Sequence, residues 1–183
     1  MIEQLEHLDQ QLFLFFNSLH CSFLDPVMYA LSGKLIWVPL YLAILIYLAV
    51  RDKKKFFFFL LFVAFSVILA DRGSGIIKNI VERFRPCHEP DIEELVHIVN
   101  GYCGGMYGFF SSHAANAFNV AFISLLAIRK RWYTISIIIW ALIVGYTRIY
   151  LGVHYPGDIL CGSIYGSFTG WFSFRMYEYF QNR

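Results

Sequence analysis

Three short stretches of this chain carry ionisable and hydroxyl side chains at spacings that could do chemistry. Lys78 and Arg85 stand seven residues apart, two turns of a helix, and so share one face. Asp71 lies a further seven residues upstream on the same face, and Pro86 is expected to stop the helix. Alone, such a pair is an ordinary basic helix end. Ser111, Ser112 and His113 precede an apolar run that begins at Ala114. Serine is a favoured N-cap, so a helix is expected to start there. The free N–H groups and dipole at that end attract anions, though a plain capped helix has the same look. Arg148, His154 and Asp158 form the third stretch, with a Pro156–Gly157 turn between the last two. A carboxylate bonded to one imidazole nitrogen fixes the tautomer and stabilises the imidazolium, leaving the other nitrogen free to attack. In isolation a His–Asp pair is more often structural.

The elements that must hold these groups are apolar. The chain has 183 residues, 58% hydrophobic and 15% charged, against about 45–50% and about 25% in soluble domains. With a mean hydropathy of +0.54, it reads as a membrane protein. Residues 35–50, 56–70, 114–128, 132–147 and 159–174 are free of charge, the last rich in the small residues that let membrane helices approach closely. A span needs about 20 residues, so several of these runs borrow from their flanks. Arg51 with Lys53–Lys55, Arg129–Arg131, and Arg175 with Arg183 fall between or after these runs, whereas 86–110 holds no Lys or Arg. The positive-inside rule puts the basic clusters in the cytoplasm, with five spans and the N-terminus outside. Lys78, Arg85, His113, Arg148, His154 and Asp158 then all fall at the outer ends of spans. Arg129 to His113, Arg131 to Arg148 and Arg175 to Asp158 each cover about 24–26 Å of helix, so three helices deliver polar groups to one depth. Ionisable groups at membrane depth are functional candidates.

Leu5, Leu8, Leu12, Phe16 and Leu19 recur at helical steps among Glu3, Glu6, His7 and Asp9. This predicts an amphipathic helix lying at the interface; a helix packed on the bundle, or a sixth span built with residues 22–33, is the alternative. The N-terminus lacks the basic segment of a cleavable signal peptide. The expected fold is an all-α integral-membrane helical bundle of five or six transmembrane helices with an N-terminal amphipathic helix. It forms a single domain over 1–183, with 1–33 interfacial and 35–177 the transmembrane bundle.

Taken together, Lys78-x6-Arg85-Pro86, Ser111-Ser112-His113 and Arg148-x5-His154-x3-Asp158 resemble the three motifs of the type 2 phosphatidic acid phosphatase (PAP2) superfamily, in order and over roughly residues 35–175. That superfamily also contains vanadium-dependent haloperoxidases, which are soluble. The stretch RIYLGVHYPGD, 148–158, is especially close to bacterial membrane members. The resemblance implies that His154 is the nucleophile and forms a phosphohistidine, and that Asp158 orients it. His113 would protonate the leaving alkoxide and later activate water. Lys78, Arg85, Arg148, Ser111 and the backbone of Ser112 would hold the phosphate oxygens. Three cations would supply the charge stabilisation that a metal often supplies; no metal and no cofactor is expected. Phe110 and Ser112 stand where the family usually has Pro and Gly, and Thr147 stands where it usually has Ser.

The expected activity is hydrolysis of a phosphomonoester or diphosphate of an outer-leaflet envelope lipid: a lipid A phosphate, undecaprenyl diphosphate or phosphatidylglycerol phosphate. The alternative is a non-catalytic lipid-binding or lipid-moving protein of the same fold. The expected partners are that phospholipid-like, isoprenoid or lipid A phosphate substrate and the bilayer. Nucleic acid is not expected, and the sequence points to no protein partner. The expected location is a bacterial inner membrane, the site facing the periplasm. There Cys87 and Cys103, both in the outer loop, would meet oxidising conditions; a disulfide between them and two free thiols are both open from sequence.

Overall fold

The structure, a computed structural model, describes residues 2–182. It is all-α, with no strand among the described residues. Seven helices follow in order: α1 (Ile2–Ser18), α2 (Leu24–Ser32), α3 (Val38–Arg51), α4 (Lys53–Val81), α5 (Ser112–Ile128), α6 (Arg131–Tyr150) and α7 (Pro156–Gln181). Local chemistry sets their ends. Asp52 caps α4 by accepting from the Lys55 N–H at 3.1 Å, and Ser111 caps α5 by accepting from the Ala114 N–H at 3.4 Å. Pro156 takes the first turn of α7, where its missing N–H costs nothing. Glu82 and Arg129 end α4 and α5 in left-handed conformations, φ 51° and 55°.

The bundle is organised around α5 and α7. Gly162, Gly166 and Gly170 recur every four residues and turn one bare stripe of α7 to the backbone of α5. A Cβ placed on Gly166 would stand 2.1 Å from the Ala115 carbonyl oxygen; on Gly162 and Gly170 it would stand 2.6 and 2.7 Å from the carbonyls of Ser111 and Asn119. The small residues of run 159–174 thus serve close helix packing, as expected. Between α4 and α5, the Asn119 amide donates to the Ser66 carbonyl at 2.7 Å, and the Asn116 amide to Asp71 at 3.2 Å. Apolar packing does the rest, with Ile44, Phe118, Ile137 and Trp140 joining α3, α5 and α6, and Phe59, Ile123, Phe174 and Tyr177 closing the opposite end.

By length and composition, α4 and α6 are each apolar enough to cross a membrane, and α2 with α3 makes a third such unit bent by 75°. α5 is apolar but short, and the glycines and serines of α7 dilute its hydropathy. Large apolar side chains such as Leu42, Leu61, Ile68, Ile139, Leu142 and Ile164 are exposed, as a bundle surrounded by lipid requires.

Of the arrangements expected for the N-terminal segment, the structure shows the helix packed on the bundle. α1 packs on the bundle, but not by its leucine stripe. The docked face is Asp9, Phe13 and Asn17, at four-residue steps. Phe13 and Asn17 are buried, and the Asn17 amide donates to the carbonyls of Ile149 and Tyr150 while its oxygen accepts from the His97 N–H at 2.8 Å. Leu5, Leu8, Leu12 and Leu19 point outward. The loop 82–111 covers the same end of the bundle. Cys87 and Cys103 are joined in a disulfide, Cα atoms 6.0 Å apart, and Arg85 N–H donates to the Met106 carbonyl at 3.0 Å.

Two measurements check this packing. Gly166→Ala should lower stability by about 1–3 kcal/mol through overpacking. Gly75→Ala, at a helical site where an added Cβ meets nothing, should be neutral or stabilising by up to about 1 kcal/mol. Equal thermal midpoints for the two variants in detergent would contradict the α5–α7 contact. The disulfide closes a loop of sequence separation 16, worth about 3 kcal/mol in the chain-entropy picture. Protein from the native membrane, alkylated without reduction, should therefore show Cys87 and Cys103 linked by mass spectrometry while Cys21 and Cys161 are alkylated.

Candidate active site

His154 and Asp158 lie in the turn between α6 and α7 and its first helical residues. Both are almost fully buried. The Asp158 carboxylate caps α7, its Oδ2 accepting from the Tyr155 N–H at 3.0 Å and facing His154 Nδ1 at 3.3 Å. On the other side of the ring, Arg85 Nη1 lies 3.3 Å from His154 Nε2. A guanidinium has donors only, so Nε2 must accept and the ring proton belongs on Nδ1, pointing at Asp158. This tautomer follows from the network. Burial, then the charges of Arg85, Arg148 and Lys78, hold the His154 imidazole well below its ordinary pKa. A neutral ring with its Nε2 lone pair directed into a cationic pocket has the form a nucleophile requires.

The remaining groups surround that nitrogen. Lys78 Nζ donates to Ser112 Oγ and to the Phe110 carbonyl, both at 2.6 Å, and Ser74 donates to Ser112 at 2.7 Å. The Ser111 N–H donates to the Asp158 carbonyl at 3.1 Å, which locks the start of α5 against the start of α7. Arg148 is buried; its guanidinium donates to the Ser32 hydroxyl and, at 3.4 Å, to Tyr102. Arg85 Nε and Arg148 Nε are buried donors without a protein partner, which suits a pocket for an anion. His113 follows Ser112 into a cavity of about 690 Å³ between α3, α4 and α5. Polar at its upper wall with Ser112, His113 and Asn116, it becomes apolar lower down with Leu45, Leu48 and Phe59.

All eight residues singled out from the sequence therefore converge on one end of the bundle. One expectation about how they do so is corrected. Lys78 and Arg85 do not share a helix face, because α4 ends at Val81, four residues short of the Pro86 stop. Left-handed Glu82 turns the chain, and Arg85 arrives on an extended arm pinned by an isolated bridge between Phe84 and Tyr107. Sequence reasoning missed Arg83, which reaches Asp158 Oδ1 at 3.1 Å, and Ser32 and Tyr102, which hold Arg148. It also missed Gly108, where a Cβ would press on Arg85, Asp158 and His154 at 3.2–3.5 Å. Arg83 sits beside Arg85 in an otherwise acidic loop, a signal that could have raised it. Among the described residues, Cys87, His88 and Cys103 have metal-ligand proximity, but their sulfurs are consumed by the disulfide.

Comparison with known proteins agrees with this arrangement. The chain is 45% identical to the lipid A 4'-phosphatase of Bacteroides thetaiotaomicron over 93% of its own length and 77% of that protein's. It is 35% identical to the lipid A 4'-phosphatase of Porphyromonas gingivalis over 100% and 78%. The crystal structure of Aquifex aeolicus LpxE superposes with a TM-score of 0.67 at 25% identity, covering 90% of this chain and 93% of that one. Residues 56–182 match the family model of the PAP2 superfamily, a match that runs from the first turn of α4 through α7 and holds all eight residues singled out from the sequence: this chain belongs to the PAP2 superfamily, in its branch of bacterial membrane lipid phosphatases.

Proposed function

We propose that this membrane lipid phosphatase removes a phosphate from lipid A, at the outer face of a bacterial inner membrane. The observation that carries the reading is the cavity between α3, α4 and α5, which Ser112 and His113 line at its polar end and Leu45, Leu48 and Phe59 line lower down. A lipid chain lying in that cavity beside Leu48 would bring its head group toward His113 and the start of α5. The activity named for the two relatives favours lipid A over the other lipid phosphates. A non-catalytic lipid carrier of the same fold would have no use for a tautomer-locked imidazole beside unpaired guanidinium donors.

In the proposed mechanism, Arg85, Arg148, Lys78, Ser111 and the backbone of Ser112 hold the phosphoryl oxygens. His154 Nε2 attacks phosphorus as the bond to the lipid oxygen breaks. His113, as general acid, gives a proton to that oxygen and the lipid alcohol leaves. Asp158 stabilises the positive charge left on the phosphorylated ring. Neutral His113 then takes a proton from water, whose oxygen attacks phosphorus; the P–N bond breaks and inorganic phosphate departs. The substrate's non-bridging oxygens displace Arg85 from Nε2, so the resting contact turns into a phosphate contact.

The proposed topology has five spans, α3 to α7, with α1 and α2 at the outer interface. Arg51–Lys55, Arg129–Arg131 and Arg175 gather at the end opposite the pocket, which supports placing that end in the cytoplasm. The Cys87–Cys103 bridge supports an oxidising compartment on the pocket side. One domain spans the chain.

His154→Ala should abolish phosphate release from lipid A, and Asp158→Asn should lower kcat by about 10²–10⁴-fold, as loss of the correct tautomer does in hydrolytic triads. Appreciable turnover by His154→Ala would overturn the mechanism. Vanadate should inhibit and chelators should not; activity lost to chelator and restored by a divalent ion would count against a pocket built of side-chain cations alone. Cysteines introduced at 54 or 130 should react with an impermeant thiol reagent only after permeabilisation, and ones in 89–99 without it.

A further inference from the structure

Asp158 carries more than the His154 contact. Its second oxygen, Oδ1, accepts from Arg83 Nη1 at 3.1 Å, and Asp158 is completely buried. A buried carboxylate without a counter-charge is costly, and Arg83 is the cation in direct contact with it. Arg83 is in turn held from three sides. Its Nη2 donates to Asp9 Oδ2 at 2.9 Å. Its guanidinium lies 4.1 Å above the Tyr155 ring. Its own carbonyl accepts from the Gly108 N–H at 2.8 Å. Asp9 also reaches past Arg83: its Oδ1 accepts from the Gly157 N–H at 2.8 Å, one of the amides at the start of α7 that no helical carbonyl can satisfy. The contact is close enough that a Cβ on Gly157 would stand 2.6 Å from Asp9 Oδ2.

Asp9 belongs to α1, and α1 is fastened to the catalytic end by the same face. One turn on, Phe13 meets the Tyr155 ring edge-on at 5.5 Å. One turn further, Asn17 bonds the last carbonyls of α6. Leu5, Leu8, Leu12 and Phe15 are exposed on α1 away from these contacts. α1 thus joins a lipid-compatible surface to the guanidinium that orients Asp158.

We propose that Arg83 and Asp9 are positioning residues for the His154–Asp158 pair, so that the N-terminal helix is part of the active site. The planar guanidinium fork spans two carboxylates at once. Through Arg83 it fixes the rotation of Asp158 about its side-chain bond; through Asp9 it fixes both the guanidinium and the first turn of α7. Asp158 then presents Oδ2 to the imidazole and to the Tyr155 amide rather than turning an oxygen toward the three phosphate-binding cations. This inference rests on the reading of His154 as nucleophile and Asp158 as its orienter.

The test uses the full chain in lipid nanodiscs with lipid A as substrate, measuring kcat and KM separately. Arg83→Gln should lower kcat by about 10–100-fold, the scale seen when partners that orient a metal-bound histidine are lost, with KM changed by less than about threefold. Asp9→Asn keeps the shape and the acceptor for Gly157 but loses the charge, and should lower kcat by several-fold. The double variant should be no worse than Arg83→Gln, and Arg83→Gln should cost nothing further in an Asp158→Asn background. Arg83→Lys should recover part of the loss. Wild-type kcat in both single variants, or a loss that appears in KM, overturns the proposal. So does a full additional loss on top of Asp158→Asn. If Arg83→Gln does not fold by size exclusion, Asp9→Asn decides alone, and an unchanged kcat there overturns it. An active His154→Ala would defeat the nucleophile reading itself. An inactive His154→Ala beside wild-type Asp9 and Arg83 variants would defeat this inference only.

Discussion

The close contact between α5 and α7 is the constraint on which the site depends. In the proposed mechanism, phosphate binding uses the amides at the start of one helix, and nucleophilic attack uses the His–Asp pair at the start of another. These two starts can serve one phosphorus atom only if the helices run nearly in touch. Gly162, Gly166 and Gly170 permit that approach, and the Ser111 N–H to Asp158 carbonyl bond sets the two starts level. The other elements are arranged around this pair. α4 lays Lys78 against Ser112, α6 carries Arg148 up to the same height, and the outer loop swings Arg85 across the imidazole.

Electrostatically, the pocket gathers cations at one end of the helical bundle. Lys78, Arg85 and Arg148 face inward, and each is held by a neutral oxygen or nitrogen rather than a carboxylate: Ser112 and the Phe110 carbonyl, His154 and the Val153 carbonyl, Ser32 and Tyr102. Asp158, the buried carboxylate beside them, is engaged by Arg83 and turned toward the imidazole. Such a pocket is already polarised for a phosphoryl group before one enters, so little reorganisation is needed during reaction. Weak neutral partners also let go easily when a doubly charged oxygen cluster arrives.

Much of this was legible in the sequence because it is local. Charge-free runs gave the cores of α3 to α7, serine before an apolar stretch marked the start of α5, and the four-residue step from His154 to Asp158 foretold their contact. What escaped was set by distant parts of the chain or by backbone turns with no side-chain signature. A glutamate in a left-handed conformation is not a usual helix stop, so α4 read through to Pro86. The Arg83–Asp9 pair joins residues 74 positions apart, and Asp9 looked like one acid among several on a polar face. The leucines of α1 announced an amphipathic helix but not which side docks, because the docked side is built from Asp9, Phe13 and Asn17, two of them polar. The cysteine pair was visible as a possibility; only the fold brings Cys87 and Cys103 within bonding distance.

That bridge also bears on how the protein is made. Arg85 sits two residues before Cys87, and Gly104, one residue after Cys103, approaches the Arg85 guanidinium closely enough that a Cβ there would stand 3.5 Å from its Cζ. The arm that presents Arg85 to His154 is therefore tied at its root by a bond that cytosolic thiol chemistry keeps open. On the proposed topology that bond closes only where the loop meets an oxidising compartment, so the tether on Arg85 depends on which side of the membrane the loop occupies.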